Sequence, residues 1–302
     1  MARRLLTITA DDFGYCPQRN KGVVECYLRG GITRASLLVN GDSPSEAADL
    51  AKKHNIPVGL HFNITEGVPA SHKSEVPSLL NHKGMFWSKT EFPHKLLQQR
   101  CIVVEQVAHE LRAQISEFER LIGQKPNHVD GHQHVHVLPG VCEVVAKTLK
   151  EAGVKWTRVP DELNIDGCAW FDEARRRFSS EVADHARVAR PVYSAHDVRS
   201  TDGFVGMATM GSYMTVERLQ HRLQMAFLGI EESASPDRDG VVVTVELMVH
   251  VGYPAVTGKG GCGEGCDEFA QSPDRLHEMG VLCSDTMKQW YTAMNMSLDC
   301  AK

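Results

Sequence analysis

The strongest constraint on the fold is the alternation of short apolar segments of strand character with amphipathic segments of helical character along the chain. Segments such as residues 5–10 and 57–62 are rich in β-branched and aliphatic residues, which is typical of strands buried on both faces. Residues 103–122 repeat apolar side chains at steps of three and four, which predicts a helix with one buried side. We therefore predict an α/β fold with parallel strands, and 302 residues fit a distorted, TIM-barrel-like (β/α) barrel.

The predicted elements follow one another without an internal repeat or a linker. We predict strands at residues 5–10, 33–39, 57–62, 127–131, 156–160 and 240–251, with strand and loop over 202–211. We predict helices at residues 17–29, 43–54, 103–122, 141–152, 168–187, 215–228 and 276–295. These elements indicate a single catalytic domain over residues 1–302, with about the last ten residues as a loose tail.

Polar residues occur where several predicted strands end. Asp11 and Asp12 follow the first strand, and His61, His132 and His250 lie at or near the ends of three others. An N-terminal cap would explain one aspartate, and an ordinary core histidine would explain His61. However, active sites of parallel α/β folds lie at the carboxyl ends of the strands. The shared location of these five residues therefore indicates a functional site.

The segment 126–140 contains four of the fifteen histidines of the chain, between His128 and His136. After a short strand ending at Gly131, His132, His134 and His136 alternate, so in an extended chain they would share one side of the backbone. Imidazole and carboxylate groups are common ligands of Zn²⁺ and similar ions. The segment therefore predicts part of a metal site whose other ligands lie at other strand ends.

Such a set of residues suits hydrolysis of an amide or ester. One aspartate and two histidines can hold a divalent ion and leave a position for water. A neighbouring carboxylate can accept the proton of the water, and a further histidine can protonate the leaving nitrogen. No GxSxG motif or catalytic-cysteine context indicates a covalent nucleophile.

Composition excludes several other classes of function. A net charge of −5 does not favour a nucleic-acid partner. There is no apolar span of about 20 residues, so we expect no membrane segment, and the apolar run before Asp11 is too short for a secretion signal. Nine scattered cysteines favour free thiols in a reducing compartment, so we expect a cytoplasmic protein. Cys262 and Cys266 would need two more ligands nearby to form a metal site.

Four motifs, TADDFG, VGLHFNITEG, HVDGHQHVH and ELMVH, resemble those of the YdjC/ChbG family of carbohydrate deacetylases. The resemblance extends to about residue 290, and the motifs keep the order and strand context of the family. It implies a distorted (β/α) barrel, a bound Mg²⁺ ion and removal of acetyl groups from chitooligosaccharide-like N-acetylated sugars. It is also compatible with a homodimer.

The resemblance assigns roles to the strand-end residues. Asp11 corresponds to the proton acceptor, and His250 to a late histidine that we assign as the general acid. The family has a His-Pro pair in the last motif, whereas here His250 is separated from the proline by three residues. The remaining positions follow the motifs: the metal ligands are Asp12, His61 and His132, and residues that support them or contact substrate are His134 and His136.

Four expectations rest on the residues themselves. Two imidazoles and one carboxylate suit Zn²⁺ better than Mg²⁺. Arg158 is expected to hydrogen-bond Asp11, and the long polar segment 66–92 to form one wall of a substrate cleft. Neighbouring Asp11 and Asp12 would point to opposite sides of an extended chain unless the backbone turns at Phe13 and Gly14.

The sequence is also compatible with two alternative functions. The first is a related metal-dependent hydrolase that acts on another amide, ester or phosphate. The second is a sugar-binding or regulatory protein without catalytic activity. The presence of all five strand-end residues argues against the second.

Overall fold

The computed structural model describes residues 3–233, 242–263 and 265–299. The strands of the central part of its sheet are buried on both faces, as parallel strands covered by helices require. The strands are β1 (Arg3–Phe13), β2 (Arg34–Leu37), β3 (Val58–Phe62), β4 (His128–Gly131), β5 (Trp156–Thr157), β6 (Gly203–Val205), β7 (Val242–Val249) and β8 (Met296–Leu298).

Helices connect these strands and cover the sheet. The longer ones are α1 (Pro17–Leu28), α2 (Pro44–His54), α4 (Val104–Ile122), α5 (Val141–Ala152), α6 (Glu173–Ala195) and α7 (Val216–Ser233). The shorter ones are α3 (Glu91–Pro93), which continues as a π-helical turn (His94–Gln98), α8 (Glu268–Gln271), α9 (Asp274–Leu282) and α10 (Asp285–Ala293). In α4 the predicted apolar side is buried, because its side chains recur once per turn: Val107, Leu111, Ile115, Phe118 and Leu121.

All strands pair in parallel, so their carboxyl ends lie at one edge of the sheet. The order of the main path is β5-β4-β3-β2-β1-β7-β6, and β8 pairs with the first half of β1. Residues of this sheet and of the helices around it form the main hydrophobic core. The predicted parallel α/β fold in a single domain is therefore confirmed.

The regular ladder is a curled, open sheet, and a full TIM barrel is not formed by the described residues. The two edge strands β5 and β6 have only two and three residues. In the described chain, the segments around β5 and β6 pair with each other through two isolated bridges, Trp156–Arg199 and Glu162–Phe204. These edge segments are too short and irregular to continue the ladder around a closed barrel.

Several predicted helix bounds are wrong because side chains cap the helices elsewhere. The helix predicted at 168–187 begins only after Asp172, whose Oδ1 accepts from the Arg175 N–H at 2.7 Å, and it extends through α6. The helix predicted at 276–295 is divided into α9 and α10, because Ser284 caps a new helix. The strand predicted at 156–160 is limited to β5, so Arg158 follows the strand.

The predicted loose tail is wrong for part of its length. Met296–Leu298 forms β8, and the Asp299 backbone N–H donates to the Leu6 carbonyl oxygen at 3.2 Å. Residues 300–302 lie outside the described part of the chain. Across the described ranges, no helix combines the length and apolar character needed to cross a membrane.

Candidate active site

Asp11 and Asp12 lie where β1 ends, and the backbone turns there. Asp12 has a φ of 63°, in the left-handed region that residues other than glycine seldom adopt. The register between β1 and β2 also shifts between Ala10 and Phe13. Because of this turn, Asp11 and Asp12 line the same cavity, although neighbours in a regular strand point to opposite faces. The turn therefore begins at Asp12 itself, before the predicted Phe13-Gly14 position.

The histidines after β4 do not continue as an extended strand. Residues His132–Val137 form a 3-10 segment in which two residues have positive φ values of 53° and 59°. His132 and His134 line the cavity. The ring of His136 turns inward, and its Nε2 lies 2.9 Å from the Arg158 carbonyl oxygen. The prediction that His132, His134 and His136 share one side is therefore wrong, because the left-handed residues break the alternation.

Three side chains from three strand ends come together at this cavity. His132 Nδ1 lies 3.2 Å from Asp12 Oδ1 and 3.3 Å from His61 Nε2, which is 3.5 Å from the same oxygen. Two tetrahedral Zn²⁺ ligands at roughly 2.0–2.1 Å from the ion lie roughly 3.3–3.4 Å apart. Asp12 Oδ1 is also buried without a hydrogen-bond partner among the described residues. The three residues therefore fit a divalent ion.

A carboxylate outside this cluster orients each imidazole. Asp130 Oδ1 lies 2.7 Å from His61 Nδ1, and Glu66 Oε2 lies 3.0 Å from His132 Nε2. The Tyr15 hydroxyl donates to Glu66 at 2.9 Å and holds that carboxylate in place. Such contacts on the outer nitrogens direct the inner nitrogens of both rings toward a shared ligand, as is common around metal-binding histidines.

Asp11 is held by a buried arginine, as the sequence predicts. Arg158 Nη1 and Nη2 donate to the two carboxylate oxygens of Asp11, both at 2.7 Å. The same guanidinium lies 3.0 Å from both Asp130 and Glu246, and Arg34 lies 3.2 Å from Glu246. A buried charge is costly unless it is paired, so this network of alternating charges fixes the position of Asp11 at the cavity.

The two aspartates have different proton affinities because their partners differ. Burial raises the pKa of Asp11, against the opposing effect of Arg158. Burial also acts on Asp12, but the neighbouring imidazoles of His132 and His61 together outweigh it and hold the pKa of Asp12 well below its usual range. Asp12 is therefore the more firmly ionised of the two, and Asp11 the better proton acceptor.

The two imidazoles of the cluster are strong bases when no ion is bound. Burial opposes the charged form of His61, but Asp11 and Asp130 outweigh it and raise its pKa to about 10. Burial likewise opposes the charged form of His132, but hydrogen bonds to Asp12 and Glu66 raise its pKa to about 9. An ion would therefore have to displace protons from both rings.

The cluster opens into a cavity of about 480 Å³. Glu66, Lys89 and Thr90 line it, and all three come from the segment that follows β3. Both ends of segment 66–92 therefore border the cavity, and the role of this segment as one wall of a substrate cleft stays a prediction.

His250 follows β7 and lines the same cavity. Its ring packs edge-on against Phe269, with ring centroids 5.6 Å apart, and its Nδ1 is buried without a hydrogen-bond partner among the described residues. Burial and the positive charge of Arg275 lower the pKa of His250 well below its usual value. The free protein therefore holds this imidazole neutral at pH 7.

The structure brings six of the eight predicted residues to the cavity. Those that line it are Asp11, Asp12, His61, His132, His134 and His250. Arg158 lies beneath the cavity, and His136 faces the interior. Sequence reasoning assigned no individual role to Glu66, Glu246 or Arg275. A glutamate in the middle of the apolar strand β7 was a usable signal for Glu246, because a buried carboxylate requires a partner.

Fold and cluster together define a parallel α/β protein with a candidate metal centre at the carboxyl edge of its sheet. The sequence profile described as YdjC-like protein matches residues 5–293. The chain therefore belongs to the YdjC-like family.

Two curated relatives named carbohydrate deacetylase match nearly the whole chain. The mouse protein (Mus musculus) is 45% identical over 294 residues, which cover 97% of this chain and 92% of the relative. The human protein is 45% identical over 287 residues, which cover 95% and 86%. A protein of Salmonella paratyphi B named chitooligosaccharide deacetylase is 34% identical over 181 residues, which cover 59% and 69%.

A solved structure from Enterococcus faecalis has a similar fold. It is described as a candidate cellobiose-phosphate cleavage protein, and it superposes with a TM-score of 0.69 at 23% identity. The match covers 99% of this chain and 97% of that one. At this identity the likeness concerns the fold alone.

Proposed function

We propose that the protein is a metal-dependent hydrolase that removes the N-acetyl group from acetylated carbohydrates of the chitooligosaccharide type. The observation that carries the proposal is the convergence of Asp12, His61 and His132 beside a second carboxylate, Asp11, in one cavity. The names of the curated relatives support the choice of an acetylated sugar as substrate.

Asp12, His61 and His132 would hold the ion. Such an ion, when bound, polarises a carbonyl group and lowers the pKa of a coordinated water. Two imidazoles and one carboxylate favour Zn²⁺ or a similar transition ion, whereas the resemblance to the family implies Mg²⁺. Metal analysis of protein purified without chelators decides between the two.

Asp11 accepts the proton of the attacking water in this proposal. Its carboxylate is oriented by the two hydrogen bonds from Arg158, and burial raises its pKa, which favours uptake of a proton. The role of Arg158 is therefore to position Asp11 and keep it charged before the water attacks.

His250 delivers a proton to the leaving nitrogen. Its imidazole is neutral in the free protein, so it must gain a proton during the reaction. The negative charge that develops on the acetyl oxygen raises the pKa of a neighbouring imidazole and favours this change. His134 lines the cavity and contacts substrate, whereas His136 supports the segment by its contact with the Arg158 carbonyl group.

Release of acetate from N-acetylated chitooligosaccharides tests the proposal directly. Asp12→Asn and Asp11→Asn should both lose turnover, while exposed Lys150→Met, which breaks only a surface ion pair with Asp197, should keep it. Turnover of other amide or ester reporters without acetate release from sugars would support a related hydrolase. Sugar binding with no turnover of any substrate would contradict an enzymatic role.

A further inference from the structure

Arg275 is a buried cation to which none of the reaction steps described above assigns a role. It belongs to α9, has 2% of its surface exposed and lines the cavity. Its Nε donates to the Phe269 carbonyl oxygen at 3.2 Å and its Nη1 to the His250 carbonyl oxygen at 3.3 Å. No carboxylate oxygen in the described residues lies within ion-pair distance of it. By contrast, three other buried arginines pair with carboxylates: Arg34, Arg158 and Arg222.

The surroundings of Arg275 leave positive charge beside the cavity. A second buried arginine, Arg19, donates to the Val251 carbonyl oxygen at 2.8 Å and also lacks a carboxylate within ion-pair distance in the described chain. Glu278 offsets part of this charge, but its two oxygens accept from backbone N–H groups at 2.6 Å. Asp12, which acts on Arg275 from across the cavity, faces the two imidazoles of the cluster.

An unpaired buried guanidinium is costly, and its cost falls when an anion pairs with it. Arg275 has five N–H donors, of which the contacts to Phe269 and His250 use two. Nη2 has no hydrogen-bond partner among the described residues, and Arg275 lines the cavity, so this group can donate to a ligand there. Arg275 therefore offers a charged donor next to His250.

We propose that Arg275 binds the oxygen of the acetyl carbonyl group. It binds this oxygen first as the oxyanion that forms when water attacks the acetyl carbon, and then as part of the carboxylate of acetate. This inference rests on the proposed deacetylase function. In that reaction the water oxygen bonds to the acetyl carbon and the C–N bond breaks. The amine nitrogen takes up both water protons, and acetate leaves with the negative charge. Both oxyanions share the chemistry that a guanidinium recognises.

Acetate titrated into the full-length, chelator-treated protein tests the binding step without turnover. Calorimetry should show that Arg275→Met weakens acetate affinity at least about tenfold, because a charge-assisted hydrogen bond is lost. Arg275→Lys should have an intermediate effect, because it keeps the charge. Arg190→Met is the matched control: Arg190 lies outside the lining of the cavity and also donates to a backbone carbonyl group, that of Thr201. This control should stay within about twofold of the unaltered protein.

Comparing the affinities of the unaltered protein for acetate and for acetamide needs no variant, so this test does not depend on whether a variant folds. Acetamide has the shape of acetate without the charge, so the unaltered protein should bind acetate clearly more tightly. Equal binding of the two compounds would overturn the proposal. Unchanged acetate affinity in Arg275→Met, or an equal loss in Arg190→Met, would overturn it as well.

Kinetics with a neutral N-acetylated oligosaccharide distinguishes two possible ligands of Arg275. One is the oxyanion that forms during the reaction, and the other is an anionic substituent of the sugar. Arg275→Met should lower kcat by a factor of about 10²–10³ with little change in KM, as expected for loss of one oxyanion donor. An unchanged kcat on the neutral sugar would mean that Arg275 binds an anionic substituent of the sugar, which contradicts the proposal. If acetate binding depends on Arg275 but no acetate is released from any sugar, the result would contradict the deacetylase function and still support an anion-binding site at Arg275.

Discussion

At the scale of single residues, Asp11 and Asp12 are neighbours in sequence with opposite surroundings. Asp11 faces a guanidinium that contacts both of its oxygens, whereas Asp12 faces two imidazole nitrogens and keeps an unsatisfied oxygen. The left-handed φ of Asp12 brings both carboxylates to one cavity. This difference in partners supports a division of labour between proton transfer and ion binding.

The first prediction separates these two roles by substitution. Asp11→Asn should keep ion binding but lower turnover by a factor of about 10²–10⁴, because an amide cannot accept the proton of the water. Asp12→Asn should weaken ion binding, so that excess metal restores part of the activity. Metal titration during acetate release measures both effects. Rescue of Asp11→Asn by metal, with none for Asp12→Asn, would reverse the assignment.

The second prediction concerns protons that compete with the ion. The pKa values of His61 and His132 are about 10 and about 9 in the metal-free protein, so both rings are charged at pH 7. Binding of an ion at pH 7 should therefore release about two protons, and affinity should rise with pH up to roughly 9–10. Calorimetry in buffers of different ionisation enthalpy counts the protons. Ion affinity that does not change between pH 6 and 9 would contradict the expected ligand set.

The same shifts predict how the metal-free protein responds to pH. The folded-state pKa values of His61 and His132 lie above the unfolded value of about 6.5. Their contribution to stability is therefore fully present below about pH 6.5 and is lost as pH rises through about 9 and about 10. Denaturant unfolding of chelated protein should show a smaller free energy of unfolding at pH 10 than at pH 6.5. His61→Gln should reduce this difference, and an unchanged difference would exclude His61 as a contributor.

At the scale of elements, the segment between β3 and α4 combines two tasks. Its first part carries Glu66, which orients His132, and it is anchored where Glu110 of α4 accepts from the Ala70 N–H at 2.8 Å. Its later part forms a turn at residues 81–84, and Asn81 and Lys83 border a shallow pocket of about 580 Å³ next to the main cavity. Only the later part can be shortened without disturbing the histidine cluster.

The third prediction tests that later part of the segment. Replacing residues 81–85 by a shorter turn should reduce turnover of an N-acetylated oligosaccharide more than turnover of a small acetylated reporter. The reason is that a long sugar extends into the neighbouring pocket, whereas a small reporter occupies only the main cavity. Comparing kcat/KM for the two substrates measures the effect. An equal loss on both would indicate a purely structural segment.

At the scale of the whole molecule, the parallel sheet brings distant residues to one place. Asp12 and His61 lie at the carboxyl ends of β1 and β3, and His132 and His250 directly follow β4 and β7. The parallel strands therefore carry these side chains to one edge of the sheet. An ion held there joins segments that are far apart in sequence. Such an ion would bind the folded state alone, because its ligands come together only there, so its binding is expected to stabilise the whole fold.

The fourth prediction follows from that linkage. Removing the ion with a chelator should lower the Tm by about 5 °C when the free ion had been at about 100 times its Kd, because such binding contributes roughly 2.7 kcal/mol. Differential scanning calorimetry with and without added metal measures the shift. Asp12→Asn should show a smaller shift than Lys150→Met, and equal shifts would locate the stabilising ion elsewhere.

Local patterns in the sequence predicted much of the fold. The helix periodicity of α4, the glycine after α5 and the apolar runs of β3 and β7 depend on neighbouring residues only, so they were visible without a structure. The positions of Asp11, Asp12, His61, His132 and His250 at strand ends were visible for the same reason. Their convergence followed from the rule that parallel strands end at one edge.

The tertiary structure decided what depends on contacts between distant segments. The turn at Asp12, the inward rotation of His136 and the partners of Glu66, Glu246 and Arg275 involve residues far apart in the chain. The open form of the sheet likewise depends on how the short edges β5 and β6 meet. Sequence by itself determined which groups were available and near which strand ends, because those features are local. Only the folded chain determined how they pair, because buried charges take the partners that tertiary packing brings within reach.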